Sequence, residues 1–165
     1  MPLPGTGRKI NGLVYDYSSI SIVIAGVPYQ GVTEINYSDT LEPGVLRGTG
    51  AFMRARTRGM YEAEASFTIA KEDFEPIKIA LASRGFGGFM EAPFQIAVAY
   101  SEANAPLIND TIEGCRIKRN ENSHSSGNSD GIVTKVDLSV FRIGWNGLYG
   151  VNDGVSGVVG RLLSA

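Results

Sequence analysis

The sequence predicts a mainly β domain: an antiparallel β-barrel or two-sheet sandwich with one flanking α-helix and a long inter-strand loop. Three observations carry that prediction. Apolar and polar residues alternate over several separate stretches, which is the period of a half-buried strand. A single stretch shows the i, i+3, i+7 spacing of a helix. The 21 glycines punctuate short apolar runs, as turns between strands require. At 165 residues the chain is long enough for one domain with its own hydrophobic core.

The elements follow in chain order. Residues 1–17 carry Pro2, Pro4, Gly5, Gly7 and Gly12 and read as an extended arm, with Tyr15 and Tyr17 available for docking. The first strand is expected over 18–25, with Ile20, Ile22 and Ile24 on one face, and Gly26 and Pro28 end it. A second is expected over 31–38, the two reading as a hairpin or a kinked strand. Residues 39–60 hold four glycines, four arginines and the apolar Val45, Leu46, Phe52 and Met53. They read as a protruding loop or ribbon ordered by a partner. The cleanest alternation is at 61–70, where Ala63, Ala65, Phe67 and Ile69 oppose Glu62, Glu64, Ser66 and Thr68.

The helix is expected over 72–83. Glu72, Asp73 and Glu75 favour its N-terminal end. Pro76 belongs in the first turn. Phe74, Ile77 and Leu81 form the buried stripe, and Gly85 ends it. Further strands are expected at 92–100, 111–119 and 132–143. The segment 120–131 is polar and reads as mobile, and 144–165 as a glycine-rich tail. In that tail Trp145, Leu148 and Tyr149 are expected to be buried, in the domain or against a neighbour. There is no internal repeat and no second domain.

Catalytic and metal chemistry finds little support. His124 lies in a Ser/Asn/Gly loop without a rigid frame, which a catalytic base requires. Cys115 falls on the inward face of a strand, as a small buried hydrophobe does. Glu62 and Glu64 share a strand face, far commoner as a solvated face than as an acid–base pair. Asp39, Asp110 and Asp130 are scattered, so no metal spacing exists, and no cofactor is expected. The glycine clusters at 5–7, 47–50 and 85–88 lack the Walker and dinucleotide patterns. No stretch reaches the apolar length of a membrane helix, and none has the core of a signal peptide. The expectation is therefore no enzyme, no membrane insertion, and synthesis in a cytoplasm.

The arginines carry the strongest local signal. Arg54, Arg56 and Arg58 alternate, and no acidic residue occurs between Glu42 and Glu62. They suit phosphate, the carboxylates of another subunit, or plain solvation. A net charge of -2 and the lack of interleaved aromatics weigh against nucleic acid. Glu34, Glu62, Glu64 and Asp137 are candidate acceptors in an assembly.

The run RARTRGMYEAEASFTIAKEDFEPI at 54–77, followed by FQIAVAY at 94–100, resembles a bacteriophage tail tube protein. The likeness extends over Gln30–Ser38, the loop to Gly59, and the closing strand at 132–143. It is most specific at Arg56–Phe67. The resemblance implies a structural subunit whose hexameric rings stack into the hollow inner tube of a tail, conducting DNA. It implies a β-barrel domain over 18–143, with 1–17 and 144–165 adding contacts. The loop 39–60 would reach an adjacent ring, through Arg47, Phe52, Arg54, Arg56 and Arg58. Glu34, Glu62, Glu64, Lys135 and Asp137 would face the lumen or a neighbouring subunit. Expected partners are copies of the chain, a sheath if the tail contracts, a baseplate or tail-tip initiator, and a terminator. The expected location is the virion. A tail-like bacteriocin or type VI-like secretion tube would share these features, and a small ligand-binding β-barrel is the remaining alternative.

Overall fold

The computed structural model describes residues 20–101, 106–124, 126 and 131–151. The expected arm over 1–17 lies outside the described residues, as do Asp130 and residues 152–165 of the tail. The elements are β1 (Ile20–Ile24), β2 (Val27–Tyr29), β3 (Val32–Glu42), β4 (Val45–Arg47), β5 (Met53–Arg56), β6 (Met60–Ala70) and α1 (Lys71–Ala82). After these come β7 (Phe94–Tyr100), β8 (Ile108–Ser123), β9 (Val133–Val140), β10 (Arg142–Trp145) and β11 (Leu148–Tyr149).

Two antiparallel sheets share β8. One runs β2-β1-β7-β8-β10-β11, the other β8-β9-β6-β3. The change of sheet happens at a bulge. Asp110 and Ile112 point inward, and so do Cys115 and Ile117, so the inward phase slips by one between them. The register slips with it: Ile112 faces Ile96, while Cys115 faces Phe94. Gly114 sits at the slip with φ +66°, and a Cβ there would lie 2.6 Å from Phe141 Cβ. Only glycine meets both conditions.

The core lies between the sheets. Phe67, Ile69, Val136 and Leu138 from one meet Ile24, Ile96, Val98, Ile112 and Ile143 from the other. Helix α1 packs on β6 and β9 and adds Phe74, Ile77 and Leu81 to the same cluster. A helix of twelve residues is marginal alone, and the burial of these three side chains holds it on the sheets. They also offset its defects. Ala70 gives no side-chain cap, and Pro76 lies in the second turn rather than the first, so the Glu72 carbonyl has no amide partner there.

Beyond the shared β8, a polar seam joins the two sheets. Buried Asp110 accepts hydrogen bonds from the Tyr37 hydroxyl (2.6 Å) and the Asn146 amide (3.0 Å). The Tyr100 hydroxyl then donates to Tyr37 at 2.5 Å. Asp39 accepts from Tyr61 and from the Trp145 indole, each at 3.0 Å, and the Ile143 amide donates to the Tyr61 hydroxyl. The Trp145 ring also lies against Tyr37, with centroids 5.1 Å apart. Burial, then the bond to Asp110, pushes the Tyr37 phenol far above its usual pKa.

Several local expectations change. Strands β1 and β3 do not form a hairpin. β1 pairs with β2 and β7, and β3 with β6, because Ala25 and Gly26 both take positive φ and fold Val27–Tyr29 back onto β1. Of the two forms expected for 39–60, loop or ribbon, the ribbon is found, and it is shorter than that stretch because β3 runs to Glu42 and β6 begins at Met60. Asn120–Ser123, expected to be mobile, extend β8 by pairing with β9. The expected strand 132–143 is broken at Phe141 into β9 and β10. Leu148 is 75% exposed, and Trp145 and Tyr149 are also exposed within the chain.

Candidate assembly surfaces

The first surface is the ribbon. β4 and β5 pair antiparallel, with Val45 opposite Arg56, Leu46 opposite Ala55 and, past a bulge, Arg47 opposite Met53. The bulge at Arg54 breaks the alternation of β5, so Met53 lies on the same side as Arg56, whose Nε donates to the Met53 sulfur at 3.2 Å, and Ala55 lies on the other. Arg58 lies beyond the end of β5. Gly59 forms the base, with φ +84°, and a Cβ there would lie 2.5 Å from the Glu42 carbonyl oxygen. Every residue from Leu41 to Met60 is exposed. Phe52, at the loop between the strands, is 89% exposed, and Val45, Leu46, Met53 and Met60 join it. A two-stranded ribbon is at best marginally stable alone, and its exposed apolar side chains make it a candidate surface for contact with a partner.

The second surface is the outer face of the β8-β9-β6-β3 sheet. The register aligns three rows across it: Ser38–Glu64–Ser139–Arg116, Asn36–Ser66–Asp137–Arg119 and Glu34–Thr68–Lys135–Glu121. Glu62 lies opposite Thr40. Glu34, Glu62, Glu64, Lys135 and Asp137 thus share one face. The β3–β6 half holds the three glutamates and no outward cation. The β8 half holds Arg116 and Arg119, with Glu121 bound to Arg119 at 3.0 Å. Glu34 accepts from Asn36 at 2.7 Å.

Both edges of this sheet are open among the described residues. β3 pairs only with β6, and the Arg116–Ser123 half of β8 pairs only with β9. Such edges are normally blunted or covered. Sequence reasoning missed Arg116 and Arg119 as members of this face. Its inward–outward assignment of Arg116 held the necessary signal, but the alignment with Glu64 and Asp137 depends on register.

The residues weighed for chemistry sit elsewhere. Cys115 is fully buried, its thiol near the Ile112 carbonyl, and burial pushes its pKa from 9.0 up to about 12. His124 is exposed. Asp39 and Asp110 belong to the seam. Among the described residues no group of three His, Cys, Asp or Glu side chains is placed to hold a metal ion.

No family model matches the chain, and no curated protein does. Solved structures match in shape. A chain in the structure of the PVC extracellular contractile injection system's sheath/tube terminator in the extended state aligns with a TM-score of 0.62 at 9% identity, covering 81% of this chain and 97% of that one. A chain of the PVC sheath–tube complex in the extended state aligns at 0.59 and 10% identity, covering 81% and 91%. The SPP1 tail tube aligns at 0.58 and 8% identity, covering 88% and 86%. The chain therefore has the tail-tube fold. Identities this low establish the fold alone.

Proposed function

We propose that this chain is the structural subunit of a phage tail inner tube, forming hexameric rings that stack into a hollow conduit for DNA. One observation carries the reading. On a tail-tube fold, the ribbon between β3 and β6 is exposed throughout, bears Arg47, Phe52, Arg54, Arg56 and Arg58, and has no fully buried residue in its own subunit.

Two kinds of contact follow. Within a ring, the open β3 edge of one subunit meets the open Arg116–Ser123 edge of the next, joining the glutamate half of one outer face to the arginine half of its neighbour. Closure removes both edges, and cyclic symmetry limits growth in the plane. Between rings, the ribbon reaches an adjacent ring. The joined outer face, with Glu34, Glu62, Glu64, Lys135 and Asp137, lines the lumen, where mixed charge lets DNA pass without holding it. The partners are copies of the chain, an initiator at the baseplate or tail tip, a terminator, and a sheath where the tail contracts. The likeness to the PVC sheath–tube complex equally favours the tube of a tail-like bacteriocin or type VI-like secretion system.

Charge reversal tests the inter-ring contact. Arg54→Glu, Arg56→Glu and Arg58→Glu together are expected to leave folded subunits and block tube growth. Tubes of normal length from the triple variant would reject the assignment.

A further inference from the structure

At the opposite end of the β3–β6 ladder from the ribbon there is a pocket. The ladder runs from Glu42 opposite Met60 at the ribbon to Val32 opposite Ile69 at the far end. At about 3.4 Å per residue, the eleven-residue strand β3 separates the two ends by about 34 Å. The half-open pocket has a volume of ≈ 440 Å³; Ile20, Ile22, Pro28, Tyr29 and Val32 line it together with Ser21 and Gln30. That is ample room for one aromatic ring.

The rim is acidic. Asp73, in the first turn of α1, sits over Gly31, where a Cβ would lie 1.8 Å from its carboxylate. Its charge also reaches Tyr29, whose phenol pKa is raised first by burial and then by Asp73. Glu72 is exposed on the same turn. The ribbon is the converse: an exposed aromatic flanked by arginines, with no acidic residue between Glu42 and Glu62.

We infer that this pocket is the socket for the ribbon of a second copy of the chain, with Phe52 entering between Tyr29, Pro28 and Ile22 and Arg54 or Arg56 meeting Asp73. The inference rests on the tube reading and specifies which surface receives the ribbon. Knob and socket lie at opposite ends of one subunit, so the contact is head-to-tail and repeats without closing. A single aromatic anchored in a desolvated pocket, ringed by complementary charge, is the usual form of an interface hot spot.

A cysteine pair tests it. Full-length chain carrying Ala51→Cys beside the retained Phe52, together with Pro28→Cys, is allowed to polymerise and is then oxidised; the buried Cys115 stays silent. The expected result is a ladder of dimers, trimers and higher multimers on a non-reducing gel. Replacing Pro28→Cys by Ile79→Cys, on the exposed side of α1, is expected to abolish the ladder. In parallel, Phe52→Asp is expected to raise the critical concentration for growth at least about tenfold. Normal polymers with no ladder, or an equal ladder with Ile79→Cys, would overturn the socket while leaving the tube reading intact. Growth indifferent to Phe52→Asp would do the same, and is the outcome if the chain's own residues before Ile20 fill the pocket. A parent chain that forms neither rings nor tubes would remove both.

Discussion

Removing the Asp110 carboxylate tests the seam that joins the two sheets. Asp110→Ala deletes two hydrogen bonds to a charged acceptor, from Tyr37 at 2.6 Å and from the Asn146 amide at 3.0 Å. Bonds of this kind contribute about 1.5–3 kcal/mol each. Part of that is returned because the variant no longer buries a carboxylate. The Tyr37 hydroxyl retains Tyr100 as a partner, but the Asn146 amide loses its acceptor. The net loss is therefore about 3 kcal/mol, or roughly 6–12 °C in Tm for a domain of this size. Asp110→Asn keeps an acceptor and is expected to lose about half as much. Urea unfolding of dilute, unassembled subunit at pH 7 measures both. Tyr37→Phe completes a double-mutant cycle, with an expected coupling of at least about 1 kcal/mol. An Asp110→Ala subunit within about 0.5 kcal/mol of the parent, or a coupling near zero, would refute the seam as a stabilising element.

Three further predictions follow from the core and its bulge. Phe67→Ala, at a side chain only 1% exposed, is expected to cost about 3–5 kcal/mol in the same assay. Gly114→Ala forces both a left-handed backbone and a clash with Phe141, and is expected to cost about 2–3 kcal/mol. Alkaline pH is expected to weaken the fold. The Cys115 thiol titrates at about 12 when folded against 9.0 ordinarily, so above pH 9 the unfolded chain loses a proton that the folded chain keeps. That contribution is complete below pH 9 and is lost as pH rises towards 12, by up to about 1.4 kcal/mol per pH unit. Unfolding midpoints at pH 8, 9.5 and 10.5 measure it, and Cys115→Ala is expected to flatten the slope between pH 9 and 10.

Much of the fold was legible because burial imposes a period. β6, β7 and β9 each alternate cleanly, and Phe74, Ile77 and Leu81 mark α1 within one residue of its observed bounds. What was not legible is held by partners distant in sequence. Asn120–Ser123 have no inward hydrophobe, so only the ladder to β9 makes them a strand. Asp39 and Asp110 read as scattered loop acids until β3, β8 and β10 come together. The Asn146–Gly147 turn was a missed local signal: Asn-Gly between apolar residues is a strong hairpin mark, and both residues take positive φ. For the candidate surfaces, the sequence carried the arginines and the exposed glutamates. It did not carry the socket, because Ile20, Pro28, Tyr29 and Val32 join only when β2 folds back beside the start of β3.

The most direct test of the central claim is an electron micrograph of the full-length chain, purified and concentrated with a tail initiator present. The account predicts hollow tubes of constant diameter built from stacked closed rings. A chain that stays monomeric across concentration, with or without an initiator, and is absent from virions and secreted particles would contradict it.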